Sequence, residues 1–163
     1  MNRKAVYAGS FDPITNGHLD VVGRALVVFD EVVVAVAHNP AKDTALFTAA
    51  ERVEMIRESL RDVGRVTVDV FQGLLVTYCD RVGASAIIRG LRAVSDFEYE
   101  FQMALMNRHL NNRVETFFMT ASEEYFYTAS RLVKEVASLG GNVGELVPPG
   151  VHRRLREKFA RPS

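Results

Sequence analysis

The 163-residue chain contains a single cysteine, Cys79, and no tryptophan. One cysteine excludes an internal disulfide and every paired-cysteine metal or redox motif, and it is typical of a reducing compartment. No stretch approaches the roughly 20 apolar residues that a membrane-spanning helix needs, and the apolar run at residues 5–8 is too short for a signal peptide. These absences predict a cytoplasmic protein that does not act in a membrane.

An excess of charge of either sign is also lacking. The 20 Lys and Arg residues balance the 20 Asp and Glu residues, so the formal net charge is zero. A balanced chain creates no overall field that attracts nucleic acid or an anionic membrane. The hydrophobic share of 48% and the charged share of 25% are ordinary for a globular protein. We therefore predict one domain over residues 1–163, no nucleic-acid partner, and an anion site only where charges cluster locally.

Short apolar runs alternate with helical patterns along the chain. Nearly continuous apolar runs, typical of strands buried on both faces, occur at residues 5–8, 32–37, 66–71, 86–88 and 116–119. Helical apolar spacing follows Asn16, and further helices are predicted to begin near residues 129–130 and to cover residues 149–159. The pairs Thr48 with Glu51 and Ser95 with Glu98 have capping-box spacing, which predicts two more helix starts.

This alternation predicts the fold class. Strands that alternate with helices form right-handed βαβ units, which give a parallel sheet covered on both faces. We predict a Rossmann-like α/β domain with a doubly wound, five-stranded parallel sheet and helices on both faces. Ligands bind outside the carboxyl ends of the strands in such folds, so we expect the site in the residues that follow each strand.

The first predicted strand is followed by two glycines, a proline and a histidine, in the sequence Gly9-Ser10-Phe11-Asp12-Pro13-Ile14-Thr15-Asn16-Gly17-His18. Glycine lets the backbone approach a ligand, and the free amides at a helix start favour an anion. An imidazole in the first helical turn can donate a hydrogen bond to a phosphate oxygen that gains charge in a transition state. The alternative is a loop whose glycines serve tight packing and whose histidine lies on the surface. The residues alone leave both interpretations open.

Basic side chains follow two other strands at the same predicted edge. The fourth strand ends in Ile88-Arg89-Gly90-Leu91-Arg92, and Lys42 follows the second strand. Arginine suits bidentate contacts with phosphate. Each group on its own has a simpler interpretation. Lys42 is then a solvated surface lysine, and the two arginines are then partners in surface ion pairs with Asp96, Glu98 and Glu100. Convergence of these groups on one crevice favours an anion site.

Several other kinds of site are excluded or disfavoured. The chain has no Gly-Lys pair, which excludes a P-loop, and no GxGxxG follows the first strand, which disfavours an ordinary Rossmann dehydrogenase. His38, His109 and His152 lack partners at metal-ligand spacing, so no metal site is predicted. Cys79 lies in an apolar helical stretch, which indicates a buried, inert thiol.

Residues 9–18 resemble the signature of the nucleotidyltransferase superfamily that shares an HxGH-type motif with class I aminoacyl-tRNA synthetases. In this chain, Thr15 stands at the first position of that four-residue motif. Further motifs narrow the resemblance: the block at residues 88–92, Asp-Phe-Glu-Tyr-Glu at residues 96–100, and Met-Asn-Arg-His at residues 106–109. With these motifs, the chain closely resembles the bacterial phosphopantetheine adenylyltransferases over nearly its whole length.

The resemblance implies an activity. It implies reversible transfer of AMP from ATP to 4'-phosphopantetheine, giving 3'-dephospho-coenzyme A and pyrophosphate, the penultimate step of coenzyme A synthesis. It also implies Mg2+ with the nucleotide, feedback inhibition by coenzyme A, and a homohexamer built as a dimer of trimers.

The resemblance also implies roles for individual residues. His18 and Lys42 would stabilise charge on the α-phosphoryl group. Phosphopantetheine would contact Ser10, Lys42, Leu75 and Arg89. The nucleotide would contact Ser10, Phe11, His18, Gly90, Leu91, Arg92, Glu100, Tyr125, Ser130 and Arg131.

The chain departs from the family pattern before the Val-Lys-Glu helix, where Ala129 replaces a hydroxyl of the usual serine-rich turn and Arg131 adds a charge. Three alternatives to this function are a nucleotidyltransferase for glycerol 3-phosphate or nicotinate mononucleotide, a module that senses nucleotide or coenzyme A, and an RNA-binding domain. Thr15 and the block at residues 89–100 weigh against the first alternative. His18 together with Lys42 weighs against the second, and the zero net charge weighs against the third.

Overall fold

A computed structural model describes residues 1–160, apart from the side chain of Ser95, so residues 161–163 of the predicted domain lie outside the described part. The strands are β1 (Lys4–Gly9), β2 (Glu31–Ala37), β3 (Val66–Phe71), β4 (Ala86–Leu91) and β5 (Glu115–Thr120). They form one sheet in the order β3-β2-β1-β4-β5, and all neighbouring pairs are parallel. The predicted doubly wound, five-stranded α/β sheet is confirmed. The chain winds outward from β1 in both directions, and ligands bind at such a reversal point.

Six α-helices connect and cover the strands within the described residues. They are α1 (Asn16–Val28), α2 (Ala49–Ser59), α3 (Leu75–Val82), α4 (Val94–Leu110), α5 (Ser130–Ser138) and α6 (Pro149–Phe159). Two short 3-10 helices lie at Pro40–Lys42 and Glu123–Tyr125. The predicted starts of α1, α5 and α6 are confirmed. Within residues 1–160, none of these helices has the length and apolarity that a membrane crossing requires.

The two predicted capping boxes have opposite outcomes. At α2, Thr48 is the N-cap residue, and its side chain accepts a hydrogen bond from the backbone N–H of Glu51, which bonds back to the Thr48 backbone. At α4, the predicted helix start is confirmed to within one residue, but Ser95 is not the N-cap residue. The helix α4 begins at Val94, before Ser95, and its N-cap residue Ala93 makes no side-chain cap hydrogen bond.

Side chains from alternate positions of the strands fill two cores, one on each face of the sheet. Ala5 and Tyr7 of β1 belong to the larger core, which also contains buried residues of α1, α2, α5 and α6. Val6 and Ala8 point to the opposite core with residues of α3. The strands β1, β2 and β4 are runs of buried residues, as predicted for strands covered on both faces. For the edge strands β3 and β5 that prediction is wrong, because their side chains alternate between exposed and partly buried positions. The site therefore lies at the end of the sheet, where the strand-to-helix loops are exposed.

The lone cysteine lies in the smaller core. Cys79 is fully buried in α3. Burial, and then the nearby charge of Asp80, raise the pKa of its thiol to about 12. The predicted burial of Cys79 is confirmed, and a thiol of this kind is a poor nucleophile at neutral pH.

The helix α4 differs from the other helices in how it presents its apolar residues. Phe97, Phe101 and Leu105 recur every four residues along the helix, and their side chains are 44%, 47% and 53% exposed. Apolar residues also occur on its other sides, including Met106 and Leu110. Contiguous exposed apolar surface on a folded chain marks an interaction site.

Candidate active site

A cavity of about 650 Å³ lies where β1 and β4 end, bounded by the loops that follow them and by the start of α5. Eleven of the thirteen site residues predicted from the sequence line it. They are Ser10, Phe11, His18, Arg89, Gly90, Leu91, Arg92, Glu100, Tyr125, Ser130 and Arg131. The structure thus brings the two motifs, 80 residues apart in the chain, and the start of α5 to one place.

The histidine of the first motif is held by a capping box at the start of α1. Thr15 is the N-cap residue, and its Oγ1 accepts a hydrogen bond from the backbone N–H of His18 at 3.4 Å. In return, Nδ1 of His18 accepts a hydrogen bond from the backbone N–H of Thr15 at 3.0 Å. The imidazole takes the part that Glu or Gln plays in most capping boxes. Because Nδ1 accepts this bond, the proton of the neutral ring is on Nε2.

The surroundings of His18 keep its ring neutral. The ring of Phe11 packs edge-on against it, with centroids 5.0 Å apart. Burial, and then the positive charge of Arg92, lower the pKa of His18 to about 3. His18 therefore presents its Nε2–H to a ligand as an oriented, uncharged donor at neutral pH.

The first arginine of the second motif is engaged in an ion pair. Nε and Nη2 of Arg89 donate to the two carboxylate oxygens of Glu100 at 2.8 and 2.5 Å, and Nη1 donates to the carbonyl oxygen of Ala8 at 2.7 Å. The hydrogen bond with Glu100 raises the pKa of Arg89. The ion-pair alternative is therefore correct for Arg89, although the pair lines the cavity. A phosphate that binds Arg89 has to share it with Glu100 or replace that carboxylate.

The cavity is locally basic although the chain is neutral. Four basic side chains (Arg89, Arg92, Arg131 and Lys134) and three carboxylates (Asp12, Asp96 and Glu100) line it. Two of the four basic groups are paired, Arg89 with Glu100 and Lys134 with Asp12. Among the described residues, Arg92 and Arg131 form no salt bridge, which leaves these two charges against Asp96. A net positive site suits a polyphosphate.

The start of α5 adds backbone donors. Its N-cap residue, Ala129, has no hydroxyl and makes no side-chain cap hydrogen bond. The neighbouring Ser130 hydroxyl donates to the carbonyl oxygen of Pro13 at 2.7 Å, which ties α5 to the loop after β1. Because no side chain caps α5, the N–H groups of its first turn are available to an anion despite the departure at Ala129.

Gly17 serves packing between two segments of the site. A Cβ atom at this position would lie 2.2 Å from Oγ1 of Thr128. Thr128 is buried and donates a hydrogen bond to the carbonyl oxygen of Tyr125 at 2.7 Å. The tight-packing interpretation is therefore correct for Gly17. Its missing side chain lets the segment that carries Tyr125 close against the start of α1.

Asp12 and Lys134 also line the cavity, and neither was predicted as a site residue. The buried carboxylate of Asp12 accepts hydrogen bonds from the backbone N–H groups of Leu46 and Phe47, both at 2.9 Å, and from Nζ of Lys134 at 2.8 Å. Asp12 was interpreted only as part of an Asp-Pro turn. Its partners lie 34, 35 and 122 residues away, and no local sequence pattern signals contacts of that range.

Two predicted residues do not line the cavity. Lys42 is exposed at the end of the 3-10 helix that follows β2. Leu75 is the first residue of α3, after β3, and packs against the smaller core. Both follow strands at the carboxyl edge of the sheet. In residues 1–160 as described, no group of three or more His, Cys, Asp or Glu side chains is arranged to hold a metal ion.

The chain is similar to known proteins over nearly its full length. Residues 6–136 match a family model described as cytidylyltransferase-like. A protein named phosphopantetheine adenylyltransferase from Geobacter sulfurreducens is 59% identical over 159 residues, which cover 98% of this chain and 96% of that protein. Proteins of the same name from Syntrophotalea carbinolica and Syntrophus aciditrophicus are 56% and 54% identical, covering 96% and 98% of this chain and 94% and 96% of theirs.

A solved structure shares the fold at much lower sequence identity. A protein from Vibrio parahaemolyticus, provisionally assigned as a nicotinate-nucleotide adenylyltransferase, superposes with a TM-score of 0.68 at 16% identity. The match covers 95% of this chain and 99% of that chain. This likeness supports the fold and carries no information on the substrate.

Proposed function

Because the chain belongs to the phosphopantetheine adenylyltransferase family, we propose that it catalyses the reversible transfer of AMP from ATP to 4'-phosphopantetheine, giving 3'-dephospho-coenzyme A and pyrophosphate. This is the penultimate step of coenzyme A synthesis. The observation that carries the proposal is the basic cavity in which the neutral, oriented His18 donor lies with Arg89 and the open start of α5.

The chemistry needs positioning more than proton transfer. An oxygen of the acceptor phosphate attacks the α-phosphorus of ATP, and the bond from that phosphorus to the leaving pyrophosphate oxygen breaks. The acceptor phosphate is already ionised, so no general base is required. Catalysis then consists of in-line placement of the two phosphates and stabilisation of charge on the transferring group.

We assign His18 and Lys42 to the α-phosphoryl group. The Nε2–H of His18 donates a hydrogen bond to a non-bridging oxygen of this group. Because the ring is neutral, it makes this bond without gaining or losing a proton during the reaction. Lys42 supplies a positive charge from the loop that follows β2. Since Lys42 is outside the cavity, this role requires the loop after β2 to approach the bound phosphates.

We assign the remaining residues to two halves of the crevice. The acceptor side consists of Ser10, Lys42, Leu75 and Arg89. The nucleotide side consists of Ser10, Phe11, His18, Gly90, Leu91, Arg92, Glu100, Tyr125, Ser130 and Arg131. Arg89 and Glu100 are bonded to each other across the boundary of these halves, which supports coupling between acceptor and nucleotide binding.

We propose that Mg2+ enters as part of the metal–ATP substrate. The carboxylates of Asp12 and Glu100 already bond to Lys134 and Arg89. Mg2+ commonly keeps several waters and binds through substrate phosphates, which fits a cavity of this composition. When bound, the ion neutralises charge on the phosphates.

Coenzyme A is the proposed feedback inhibitor because it differs from the product only by one 3'-phosphate. It can therefore occupy the same cavity as the product. Competition by coenzyme A against 4'-phosphopantetheine in steady-state kinetics is the expected pattern.

We propose a homohexamer of single-domain subunits, each spanning residues 1–163. The exposed apolar side chains of α4, including Phe97, Phe101 and Leu105, support self-association. Light scattering of the purified protein is expected to give six times the 18.2 kDa chain mass, and a monomer would contradict the assembly. We assign the protein to the cytoplasm, in keeping with its single buried cysteine.

The proposed reaction is tested by incubating the protein with Mg-ATP and 4'-phosphopantetheine and identifying the products by mass spectrometry. Pantetheine, which lacks the attacking phosphate, is the matched control. Dephospho-coenzyme A and pyrophosphate are expected in equal amounts from the first acceptor only. No transfer to the first acceptor, or equal consumption of ATP with pantetheine, would contradict the proposal.

A further inference from the structure

A buried arginine lies behind the active site, outside the cavity. Arg52 of α2 is 2% exposed, and a buried guanidinium is tolerated only where its donors are bonded. Its Nε donates to the carbonyl oxygen of Phe47 at 3.1 Å. Its Nη1 donates to the carbonyl oxygens of Ser10 at 2.9 Å and Ala37 at 3.2 Å. One side chain thus joins the loop after β1, the end of β2 and the residue before the N-cap of α2.

These contacts enclose the stretch that carries Lys42. Residues 38–47, which we call the Lys42 segment, connect the end of β2 to the N-cap of α2. Arg52 bonds to Ala37, just before the segment, and to Phe47 at its end. Its Nη2 also lies 3.9 Å from Oδ2 of Asp43, the residue next to Lys42. The same Asp43 oxygen is 3.3 Å from Nδ1 of His38.

A buried carboxylate secures the same segment from the other side. Asp12 accepts hydrogen bonds from the backbone N–H groups of Leu46 and Phe47. The Lys42 segment is therefore bonded to the loop after β1 through a cation and an anion at once. That loop carries Ser10, whose carbonyl oxygen is an Arg52 acceptor.

We propose that Arg52 is a positioning residue for AMP transfer: it sets the Lys42 segment against the Ser10 loop so that Lys42 can reach the α-phosphoryl group. The inference rests on the role proposed above for Lys42. Arg52 acts through Lys42 and does not touch the substrates. A lysine cannot replace it, because one ammonium group lacks the planar fork that bonds three separated carbonyls.

The first test is Arg52→Lys, which keeps the charge and removes the fork. We expect kcat to fall by at least about tenfold, since small displacements of a catalytic group cost one to two orders of magnitude. The KM for ATP is expected to change little. Arg57→Lys is the matched control, because Arg57 is on the same helix, is exposed, and bonds only to the carbonyl oxygen of Val68 among described residues.

A double-mutant cycle separates positioning from general structural damage. If Arg52 acts through Lys42, then Arg52→Lys lowers kcat in the wild-type background and causes no further loss in the Lys42→Ala background. Equal losses in both backgrounds, or full kcat in Arg52→Lys, would overturn this inference alone. Wild-type kcat in Lys42→Ala would contradict the proposed role of Lys42 as well.

Asp43→Asn is a second variant in case Arg52→Lys does not fold. It keeps the side-chain oxygen that accepts the backbone N–H of Ala45 at 3.1 Å and removes only the charge that faces Arg52 and His38. We expect a smaller loss of kcat than for Arg52→Lys, again absent in the Lys42→Ala background. Unchanged kcat, or the same loss in both backgrounds, would overturn the inference.

Discussion

Replacing His18 by alanine removes one oriented donor at the transferring phosphoryl group. The capping box with Thr15 directs the ring proton to Nε2, and the pKa of about 3 makes the donor uncharged at neutral pH. Loss of one such donor costs on the order of 10²–10³ in kcat, or about 2.7–4 kcal/mol. We expect a loss in this range for His18→Ala.

Pyrophosphate release at saturating substrates measures kcat, and calorimetry measures ATP binding. The donor acts on charge that develops in the transition state, so ATP affinity is expected to be nearly unchanged. His152→Ala on α6, away from the cavity lining, is the matched control and is expected to keep wild-type kcat. A wild-type kcat in His18→Ala, or a loss of ATP affinity as large as the loss of kcat, would refute the reasoning.

The pH dependence gives an independent check on the same residue. His18 in the unfolded chain binds a proton below pH 6.5, whereas in the folded chain it stays neutral down to about pH 3. The stability of the wild type is thus expected to fall relative to His18→Ala as the pH is lowered from 6.5 toward 3. Chemical denaturation at each pH measures the free energy of unfolding of both proteins. A difference between them that stays constant from pH 6.5 to 3 would contradict the assigned neutral state.

Three further predictions concern other parts of the fold. Arg89→Ala is expected to weaken 4'-phosphopantetheine binding more than ATP binding in calorimetry, and the reverse order would show that the two halves of the crevice are wrongly assigned. Alkylation of Cys79 at about pH 8 is expected to require unfolding, because burial raises its pKa to about 12; rapid labelling of the native protein would contradict this. Thr48→Ala is expected to cost about 1 kcal/mol and lower Tm by roughly 2–4 °C, and an unchanged Tm would show that the cap is not stabilising.

The fold could be predicted from the sequence because the signals for strands and helix starts lie in neighbouring residues. The five strands lie at the short runs rich in apolar residues, and α1, α5 and α6 begin where their patterns predicted. At α4 the capping-box spacing of Ser95 and Glu98 located the helix start but not its cap, since the helix begins at Val94 and its N-cap residue is Ala93. Apolar residues occur on more than one side of α4, so its pattern could not indicate which side is covered.

The site was predictable where glycine and basic residues follow strands, and it was missed where contacts are long-range. His18 is in the first turn of α1, which follows the loop after β1, and Arg89 lies near the end of β4, so the fold rule for ligand sites locates them. Lys134 and Arg52 lie within helices at ordinary surface-like spacing. Their roles depend on Asp12 and on carbonyl oxygens of distant loops, and only the assembled structure reveals those partners.

The most direct test of the central claim is a comparison of acceptors under one set of conditions. Pyrophosphate release from Mg-ATP is measured with 4'-phosphopantetheine, pantetheine, glycerol 3-phosphate and nicotinate mononucleotide, and each product is identified by mass. We predict release with 4'-phosphopantetheine alone, with dephospho-coenzyme A as the product. Pyrophosphate release with another acceptor would contradict the proposed substrate. Tight binding of ATP with no pyrophosphate release in the presence of any acceptor would indicate a sensing module instead of an enzyme.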